Sequence, residues 1–312
     1  MGRTVMAVAG VSFGYCFEAP VSWPEMLGIA RRLDEGSNFD SLWIADSLLP
    51  NGDLDEPKLE AWTALAAIAQ ATSRVRLGLL VAANPYRHPA LTAKIVTTLD
   101  HISDGRIELG IGAGWPDPQR RFGIDFWDRH ERLERFLEAL QVIKLLWTER
   151  RPRFEGRYYS LNEPPYSPGN VQQPHPPILI GGGSETMLRA MAQYADMAHP
   201  MVDLGTARTK VNAHCDEVGR DKREIRWAGG GHLFLHDDPQ VQRRAIEFAA
   251  DHYGQTETEL RRTGLFGSAR DVREGVRQQV DQGVDELIVF QLPHVHTKSL
   301  LRFSDEIIPD FT

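Results

Sequence analysis

Short apolar runs alternate with longer amphipathic stretches along most of this chain. The clearest example lies between residues 75 and 115. A strand-length apolar run (75–81), a proline-bearing loop, a segment with helical spacing (90–102) and a second strand-like run (106–111) follow one another there. Two strands joined by such a helix are expected to be parallel neighbours. Both run into Gly- or Pro-bearing loops, and parallel strands bind ligands at that end.

The same alternation predicts eight strands and the helices between them. The strands are expected at residues 5–11, 39–46, 75–81, 106–111, 177–181, 196–199, 225–235 and 286–291. The helices are expected near residues 23–33, 59–71, 90–102, 131–147, 184–194, 206–218, 240–252, 269–282 and 298–308. No composition break marks a linker, so residues 1–312 are predicted to form a single α/β domain, a closed (β/α)8 TIM barrel. An open doubly wound sheet is the alternative, but GIGAGW follows the fourth strand and not the first.

Composition and charge narrow the class of protein. The chain has 312 residues, of which 42% are hydrophobic, and a net charge of -8. This acidic balance disfavours nucleic acid as a partner and favours a small-molecule ligand. No apolar run approaches the roughly 18 residues of a membrane span, and Cys16 and Cys215 are too few for a disulfide framework. We therefore expect a soluble, cytoplasmic protein without a signal peptide or membrane segment.

Polar and glycine residues at two predicted strand ends are the first candidate site residues. Asp46 and Ser47 end the second strand, where acceptor oxygens can bind a cofactor ring or move a proton. The alternative for Asp46 is a loop cap. After the fifth strand come the residues Gly181, Gly182, Gly183 and Ser184. Unhindered amides at a helix start predict a phosphate site, and the alternative is a tight turn with Ser184 as N-cap.

Two more loops belong to the same predicted mouth. Gly114 and Trp115 follow the fourth strand, and Trp115 is either a pocket wall or an ordinary packing residue. Asn84 follows the third strand and is a candidate for cofactor binding. The neighbouring Arg87 and His88 meet an anionic ligand or cap the next helix.

Other catalytic classes have less support in the sequence. There is no HExxH pattern and no GxSxG elbow, which disfavours a metal site and a serine hydrolase. A glycosidase would need a second strand-end acid besides Asp46, for which Glu18, Glu60 and Asp117 are candidates. The residues alone therefore indicate a barrel enzyme with a phosphate-bearing ligand.

The chain also contains, in order, the stretches FDSLWIADS, LEAWTALAAIAQATSRVRLGLLV, YRHPALTAKIVTTLDHISDGRIELGIGAGW, RFGIDF, ERLERFLEALQVIKLLWTE, FEGRYYSL and PPILIGGGS. Together they resemble the bacterial luciferase-like monooxygenase family, and more closely its deazaflavin (coenzyme F420)-dependent oxidoreductase branch. The resemblance implies a (β/α)8 barrel with an insertion, residues 151–177, over the C-terminal mouth. It also implies a flavin or deazaflavin ring bound at that mouth.

The resemblance assigns cofactor contacts to single residues. It implies a non-prolyl cis peptide bond against the ring near Leu79 and Leu80. The loop from Ala113 to Trp115 and the glycine loop that ends at Ser184 match the family's cofactor-binding loops. Basic residues near the mouth are candidates for the acidic tail of the coenzyme, and these are Arg151, Arg153 and Arg157.

Two positions depart from the family pattern. Ser47 stands where many deazaflavin-dependent relatives carry a catalytic histidine, and serine does not titrate near neutral pH. Luciferases place an arginine for the flavin phosphate where this chain has Ala113, which argues against FMN unless Arg120 or Arg121 substitutes.

Three functions follow as hypotheses. The first is an oxidoreductase that transfers a hydride between coenzyme F420 and a small organic substrate, with Asp46 and Ser47 orienting the ring or the substrate. The second is an FMN-dependent monooxygenase supplied by a separate reductase, and the third is a non-catalytic flavin-binding protein. A homodimer is a candidate assembly because related barrels often dimerise. The identity of the substrate is left open.

Overall fold

Eight parallel strands form a closed barrel in this computed structural model, which describes residues 10–50, 54–115, 120–292 and 297–312. The strands are β1 (Ser12–Phe17), β2 (Ser41–Ile44), β3 (Arg76–Leu79) with a short continuation (Ala82–Ala83), β4 (Ile107–Gly112), β5 (Ile178–Gly182), β6 (Met197–Pro200), β7 (Arg226–Leu235) and β8 (Glu286–Gln291). The barrel closes where Arg226 and Trp227 pair with Met197 and Ala198. The predicted (β/α)8 fold is confirmed.

Helices surround the strands. They are α1 (Trp23–Gly36), α2 (Ala61–Ala71), α3 (Pro89–Ile102), α4 (Arg129–Thr148), α5 (Glu185–Tyr194), α6 (Leu204–Val218), α7 (Pro239–Tyr253), α8 (Glu257–Thr263), α9 (Ala269–Asp281) and α10 (Lys298–Arg302). Several begin at a side chain that accepts a hydrogen bond from a first-turn amide, as Glu60 does for α2 and Asp128 for α4. Within the described ranges, no helix combines the length and the apolar character that crossing a membrane requires.

The interior of the barrel is layered. Ion pairs between Arg76 and Glu108 and between Arg226 and Glu286 lie at the N-terminal end of the strands, where Ser41 Oγ also donates to Glu286 at 2.6 Å. Above them is an apolar layer made of Cys16, Trp43, Leu80, Leu179, Met197, Ala228 and Ile288. This layer separates the charged end from the mouth, so the two ends of the barrel are chemically distinct.

The first strand lies later in the chain than predicted. It was expected at residues 5–11, but β1 is Ser12–Phe17, and residues 5–9 lie outside the described ranges. Gly14 is required inside β1, because a Cβ there would lie 2.5 Å from Ser41 Oγ and 3.0 Å from Trp43 Nε1.

A helical excursion on the β7 side was only partly predicted. Residues 236–264 leave the barrel after β7, form α7 and α8, and return through a short strand (Leu265–Gly267) that pairs with Leu233–Leu235. Its helices share a small apolar core with neighbouring strand residues, made of Phe234, Ile246, Ala249, Leu260, Phe266 and Leu292. The sequence predicted α7 but neither α8 nor the strand.

The final helix also differs from its prediction. Instead of one helix over residues 298–308, α10 is followed by a π-helical turn (Phe303–Ile307) and a 3-10 turn (Ile308–Asp310).

The predicted insertion, residues 151–177, packs along α3 and α4. It begins with an antiparallel hairpin (Arg153–Glu155 with Ser160–Asn162) whose turn amides donate to Glu138 of α4. Further along, the amides of Val171 and Gln172 donate to Asp100 of α3. The segment approaches the mouth at Tyr159, whose ring lies 5.2 Å from that of His88.

Candidate functional site

The floor of the mouth is formed by residues that lie side by side on neighbouring strands. Cys16 of β1 pairs with Phe290 of β8, which pairs in turn with His232 of β7. Residues paired across parallel strands face the same side of the sheet, and Cys16 and Phe290 contact the inner apolar layer. The side chain of His232 therefore faces the inside of the barrel at its mouth.

Val81 rises at the centre of this floor between two glycines. A Cβ at Gly112 would lie 2.8 Å from Val81 Cγ2, and one at Gly181 would lie 3.1 Å from Val81 Cγ1. A side chain at Gly112 would collide with Val81, and a side chain at Gly181 would require Val81 to shift by a few tenths of an ångström. The glycines therefore make room for the Val81 side chain, and we name Val81, Gly112 and Gly181 the cradle.

The cis peptide bond implied by the resemblance is present one bond later than expected. It joins Leu80 to Val81, and the expectation placed it near Leu79–Leu80. Leu79 is buried between barrel and helices and Leu80 belongs to the inner layer. Of these three residues, Val81 is the most exposed and was missed by the sequence reasoning.

Asp46 lies after β2 and is turned towards the loop that follows β3. Its Oδ2 accepts hydrogen bonds from the Ala83 amide at 3.0 Å and from Arg87 Nη1 at 2.9 Å, and Arg87 also binds Glu60. Only 1% of the Asp46 side chain is exposed. Burial raises the pKa of Asp46, and Arg87 and the Ala83 amide oppose that effect. The carboxylate thus fixes the β3 loop, and its role in chemistry stays a prediction.

The other candidates after β2 and β3 also have local partners. Ser47 Oγ donates to the Leu49 carbonyl at 2.6 Å. Asn84 begins a 3-10 turn and is 5% exposed. His88 Nδ1 accepts a hydrogen bond from the first turn of α3, so the capping alternative holds for His88.

Local packing explains the identity of each residue in the glycine loop after β5. Gly181 makes room for Val81, a Cβ at Gly182 would meet Met187, and one at Gly183 would lie 2.7 Å from Val202 Cγ1. Ser184 Oγ caps α5 by accepting from the Met187 amide at 3.4 Å. The tight-turn alternative therefore describes the loop, and phosphate binding there stays a prediction.

The loop after β4 is partly open. Ala113 packs against the core, Gly114 has φ +89°, and Trp115 is 69% exposed. The Gly114 carbonyl accepts a hydrogen bond from Arg132 Nη1 at 2.9 Å. Arg132, which the sequence reasoning missed, also lies 4.1 Å from the centre of the Phe126 ring.

The remaining arginine candidates are on the periphery. Arg120 lies over the Phe126 ring at 5.5 Å, and Arg121 is exposed. Arg153 and Arg157 are 74% and 71% exposed and pair with Glu163 and Glu134. Arg151 is exposed as well.

Four titratable side chains meet on the β7 side, and we name Glu18, Lys58, His232 and Tyr253 the mouth cluster. His232 Nδ1 lies 3.8 Å from Glu18 Oε2, and the His232 ring stacks on Tyr253 of α7 with centroids 4.3 Å apart. Lys58 Nζ donates to the Glu18 carbonyl at 2.8 Å, and burial lowers the pKa of Lys58. Sequence reasoning named Glu18 only as a possible acid, although the inward position of His232 could have been read from strand parity.

Two acids proposed for a glycosidase pair do not add to this cluster. Glu60 caps α2 and binds Arg87, and Asp117 lies outside the described residues. Within the described part of the chain, no group of three or more His, Cys, Asp or Glu side chains could hold a metal ion.

With the barrel and its mouth described, the chain can be compared with known protein families. The family model described as luciferase-like monooxygenase matches residues 9–290. This chain belongs to the luciferase-like monooxygenase family. The resemblance inferred from the sequence is thereby confirmed.

Curated relatives of this luciferase-like chain include several with F420-dependent names. An F420-dependent glucose-6-phosphate dehydrogenase of Kineococcus radiotolerans is 37% identical over 174 residues, or 55% of this chain and 51% of the relative. The match thus spans about half the length of that relative. A protein of the same name from Microbacterium testaceum is 25% identical, with 95% and 96% coverage. A 5,10-methylenetetrahydromethanopterin reductase of Archaeoglobus fulgidus is 28% identical, with 81% and 74% coverage. The predicted likeness to the F420-dependent branch is confirmed.

Solved structures similar to this luciferase-like chain support the fold. An F420-dependent secondary alcohol dehydrogenase in complex with an F420-acetone adduct superposes with a TM-score of 0.81 at 17% identity, over 97% of this chain and 98% of the other. The coenzyme F420 dependent tetrahydromethanopterin reductase from Methanopyrus kandleri gives 0.79 at 19% identity, over 97% and 100%.

Proposed function

We propose that this protein is a coenzyme F420-dependent oxidoreductase that transfers a hydride between the cofactor and a small organic substrate. The observation that carries the proposal is the alignment over 95% of the chain with an F420-dependent dehydrogenase of Microbacterium testaceum. The cradle supports it, because Val81 is a partly exposed apolar side chain at the mouth on which one face of a flat ring would pack. When bound, the deazaflavin supplies a two-electron hydride carrier.

In this proposal the residues of the chain mainly bind and orient. Val81, Gly112 and Gly181 support one face of the ring. The first turn of α5 directs amides towards the phosphate, because a helix N-terminus favours an anion. Asp46 keeps the loop after β3 in place through Arg87. Proximity and orientation then account for most of the rate enhancement.

Cofactor binding tests the proposal directly. The purified protein is titrated with F420 and with FMN, each oxidised and reduced, and binding is followed by fluorescence and absorbance. We expect tight and preferential binding of F420. Preference for reduced FMN would favour the two-component monooxygenase, and binding of neither would contradict both. A homodimer and a separate reductase stay predictions that sizing and reconstitution experiments test.

Ser184→Asp tests the phosphate position. Aspartate caps a helix as well as serine does, so α5 keeps its N-cap while a negative charge is placed where phosphate would bind. We expect F420 affinity to fall at least tenfold, which is about 1.4 kcal/mol. Ser22→Asp places the same charge at the start of α1, where Ser22 makes no side-chain cap, and serves as the control. Equal affinities in both variants would place the phosphate elsewhere.

A further inference from the structure

The mouth cluster contains a histidine whose environment is not explained by packing alone. His232 Nδ1 is buried and has no hydrogen-bond partner within the described residues. Leaving a buried polar atom without a partner costs about 1–3 kcal/mol. An apolar residue in this position would stack equally well on Tyr253 and Phe290, which lie 4.3 and 5.7 Å from the ring. Packing alone therefore does not explain the imidazole, and the charged group that lies beside Nδ1 is the Glu18 carboxylate.

The residues after β2 offer no uncommitted group that titrates near neutral pH. At Ser47 this chain lacks a residue able to titrate near neutral pH. The nearby Asp46 is occupied by Arg87 and by the Ala83 amide. His232, which faces the mouth from β7, is then the candidate proton acceptor.

We propose that His232 is the proton-transfer residue of the mouth, that Glu18 positions its ring, and that the substrate is a small alcohol or the corresponding carbonyl compound. The inference rests on the proposed F420-linked function. In this proposal the Glu18 carboxylate lies beside one ring nitrogen, Nδ1, and the other nitrogen, Nε2, exchanges the proton with the substrate hydroxyl. The 3.8 Å between Nδ1 and Glu18 Oε2 is longer than a hydrogen bond, and such contacts often shorten when a ligand binds.

Burial favours the neutral, proton-accepting form of His232. Burial, with a smaller contribution from the nearby His252, lowers the pKa of His232 to about 4. The other groups that face it are Glu18 and Tyr253, with Lys58 and Cys16 next to Glu18. Burial, with Glu18, raises the pKa of Tyr253, so its phenol keeps the proton at neutral pH.

The proposed step balances in atoms and electrons. In the oxidative direction, the C–H bond of the carbinol carbon breaks, and its electron pair leaves with the hydrogen as hydride to the oxidised cofactor. The O–H bond breaks, its proton passes to His232, and its electrons complete the C=O bond. His232 then returns the proton to solvent. In the reductive direction the protonated imidazole supplies the same proton to the carbonyl oxygen.

Activity of the F420-loaded enzyme is the first test. The probes are 2-propanol, cyclohexanol and glucose 6-phosphate, and reduction of F420 is followed by absorbance. His232→Gln is expected to lower kcat at least about 100-fold, the usual contribution of a general base, with KM and F420 affinity nearly unchanged. Glu18→Gln is expected to lower kcat less and to move the acid limb of the pH profile to lower pH. His236→Gln is the control, because the His236 ring stacks on Phe234 and its Nδ1 accepts a hydrogen bond from the Asp238 amide at 3.1 Å.

A second readout needs neither cofactor nor substrate. The eleven histidines are labelled with ¹³C, and the His232 signal is identified by its loss in His232→Gln. Its titration is expected below the ordinary value of about 6.5. Glu18→Gln removes a nearby negative charge and is expected to lower it further, by about half a pH unit or more.

The outcomes separate this inference from the proposed function. Failure to bind F420 would contradict the proposed function, and the titration would still decide whether Glu18 and His232 interact. F420 binding without oxidation of any probe alcohol would overturn the substrate class. Turnover by His232→Gln within threefold of wild type, about 0.65 kcal/mol, or a loss that only follows lower thermal stability, would show that His232 is a packing residue.

Discussion

The ion pair of Asp46 and Arg87 gives a quantitative prediction. The Asp46 side chain is 1% exposed and Arg87 is 15% exposed, so Asp46→Ala leaves a mostly buried guanidinium without its closest partner. Removing one member of a buried pair typically costs about 3–5 kcal/mol. Glu60 still contacts Arg87, and its side chain is 40% exposed. We therefore expect the low end of that range, a loss of about 3 kcal/mol in the free energy of unfolding.

A double-mutant cycle measures whether the pair is the cause. Urea unfolding is followed for wild type, Asp46→Ala, Arg87→Ala and the double variant. The double variant is expected to lose about 2 kcal/mol less than the sum of the single variants, because each single variant already removes the same contact. Glu60→Ala, which removes only the exposed partner, should cost less than about 1 kcal/mol. Additive single effects would refute the argument.

The same samples report on function. If Asp46 acts by holding the loop after β3, Asp46→Ala and Arg87→Ala should weaken F420 binding by similar factors, at least tenfold or about 1.4 kcal/mol. A loss of turnover in Asp46→Ala alone, with F420 affinity intact, would instead support a direct role of the carboxylate in chemistry.

Three further predictions concern the two ends of the barrel. Burial, with Glu108 nearby, raises the pKa of Glu286 from 4.5 to about 7. Stability from this group is present below pH 4.5 and is lost as pH rises through 7, so Glu286→Gln should flatten unfolding free energy against pH by up to about 3 kcal/mol. Gly112→Ala places a Cβ 2.8 Å from Val81 and should cost about 1–3 kcal/mol in urea unfolding; an unchanged midpoint would contradict the cradle. We infer that Arg132, which binds the Gly114 carbonyl, attracts the anionic part of F420, so Arg132→Ala should weaken F420 binding more at low salt than at high salt; a salt-independent effect would contradict that contact.

Local patterns predicted the barrel elements well because each strand and helix has its own periodicity. The last strand was predicted at residues 286–291 and is Glu286–Gln291, since its apolar run is bounded by polar residues. The helix before β6 was similarly clear, because Ser184 is an N-cap followed by amphipathic spacing. These features depend only on residues that are close together in the sequence, so the local pattern is enough to predict them.

The parts that were missed depend on contacts between distant residues. Gly14 would ordinarily weaken a strand, but Ser41 and Trp43 occupy the space of its absent side chain. Val81 reaches the mouth only because the chain turns after β3. The mouth cluster joins residues that follow β1 and β2 with His232 of β7 and Tyr253 of the helical excursion. No spacing in the sequence connects Glu18 with His232.

The helical excursion begins and ends at neighbouring points of the barrel, so it can change without changing the strands. The chain leaves the barrel at His236 and returns at Gly267, and these two residues are joined by a hydrogen bond of 3.0 Å. Between them lies a unit with its own small core that supplies Tyr253 to the mouth. Exchange of this unit between related barrels would change the wall that a substrate meets while leaving all eight strands untouched. Substrate selectivity can thus evolve, or be engineered, by exchange of residues 236–264 on an unchanged barrel.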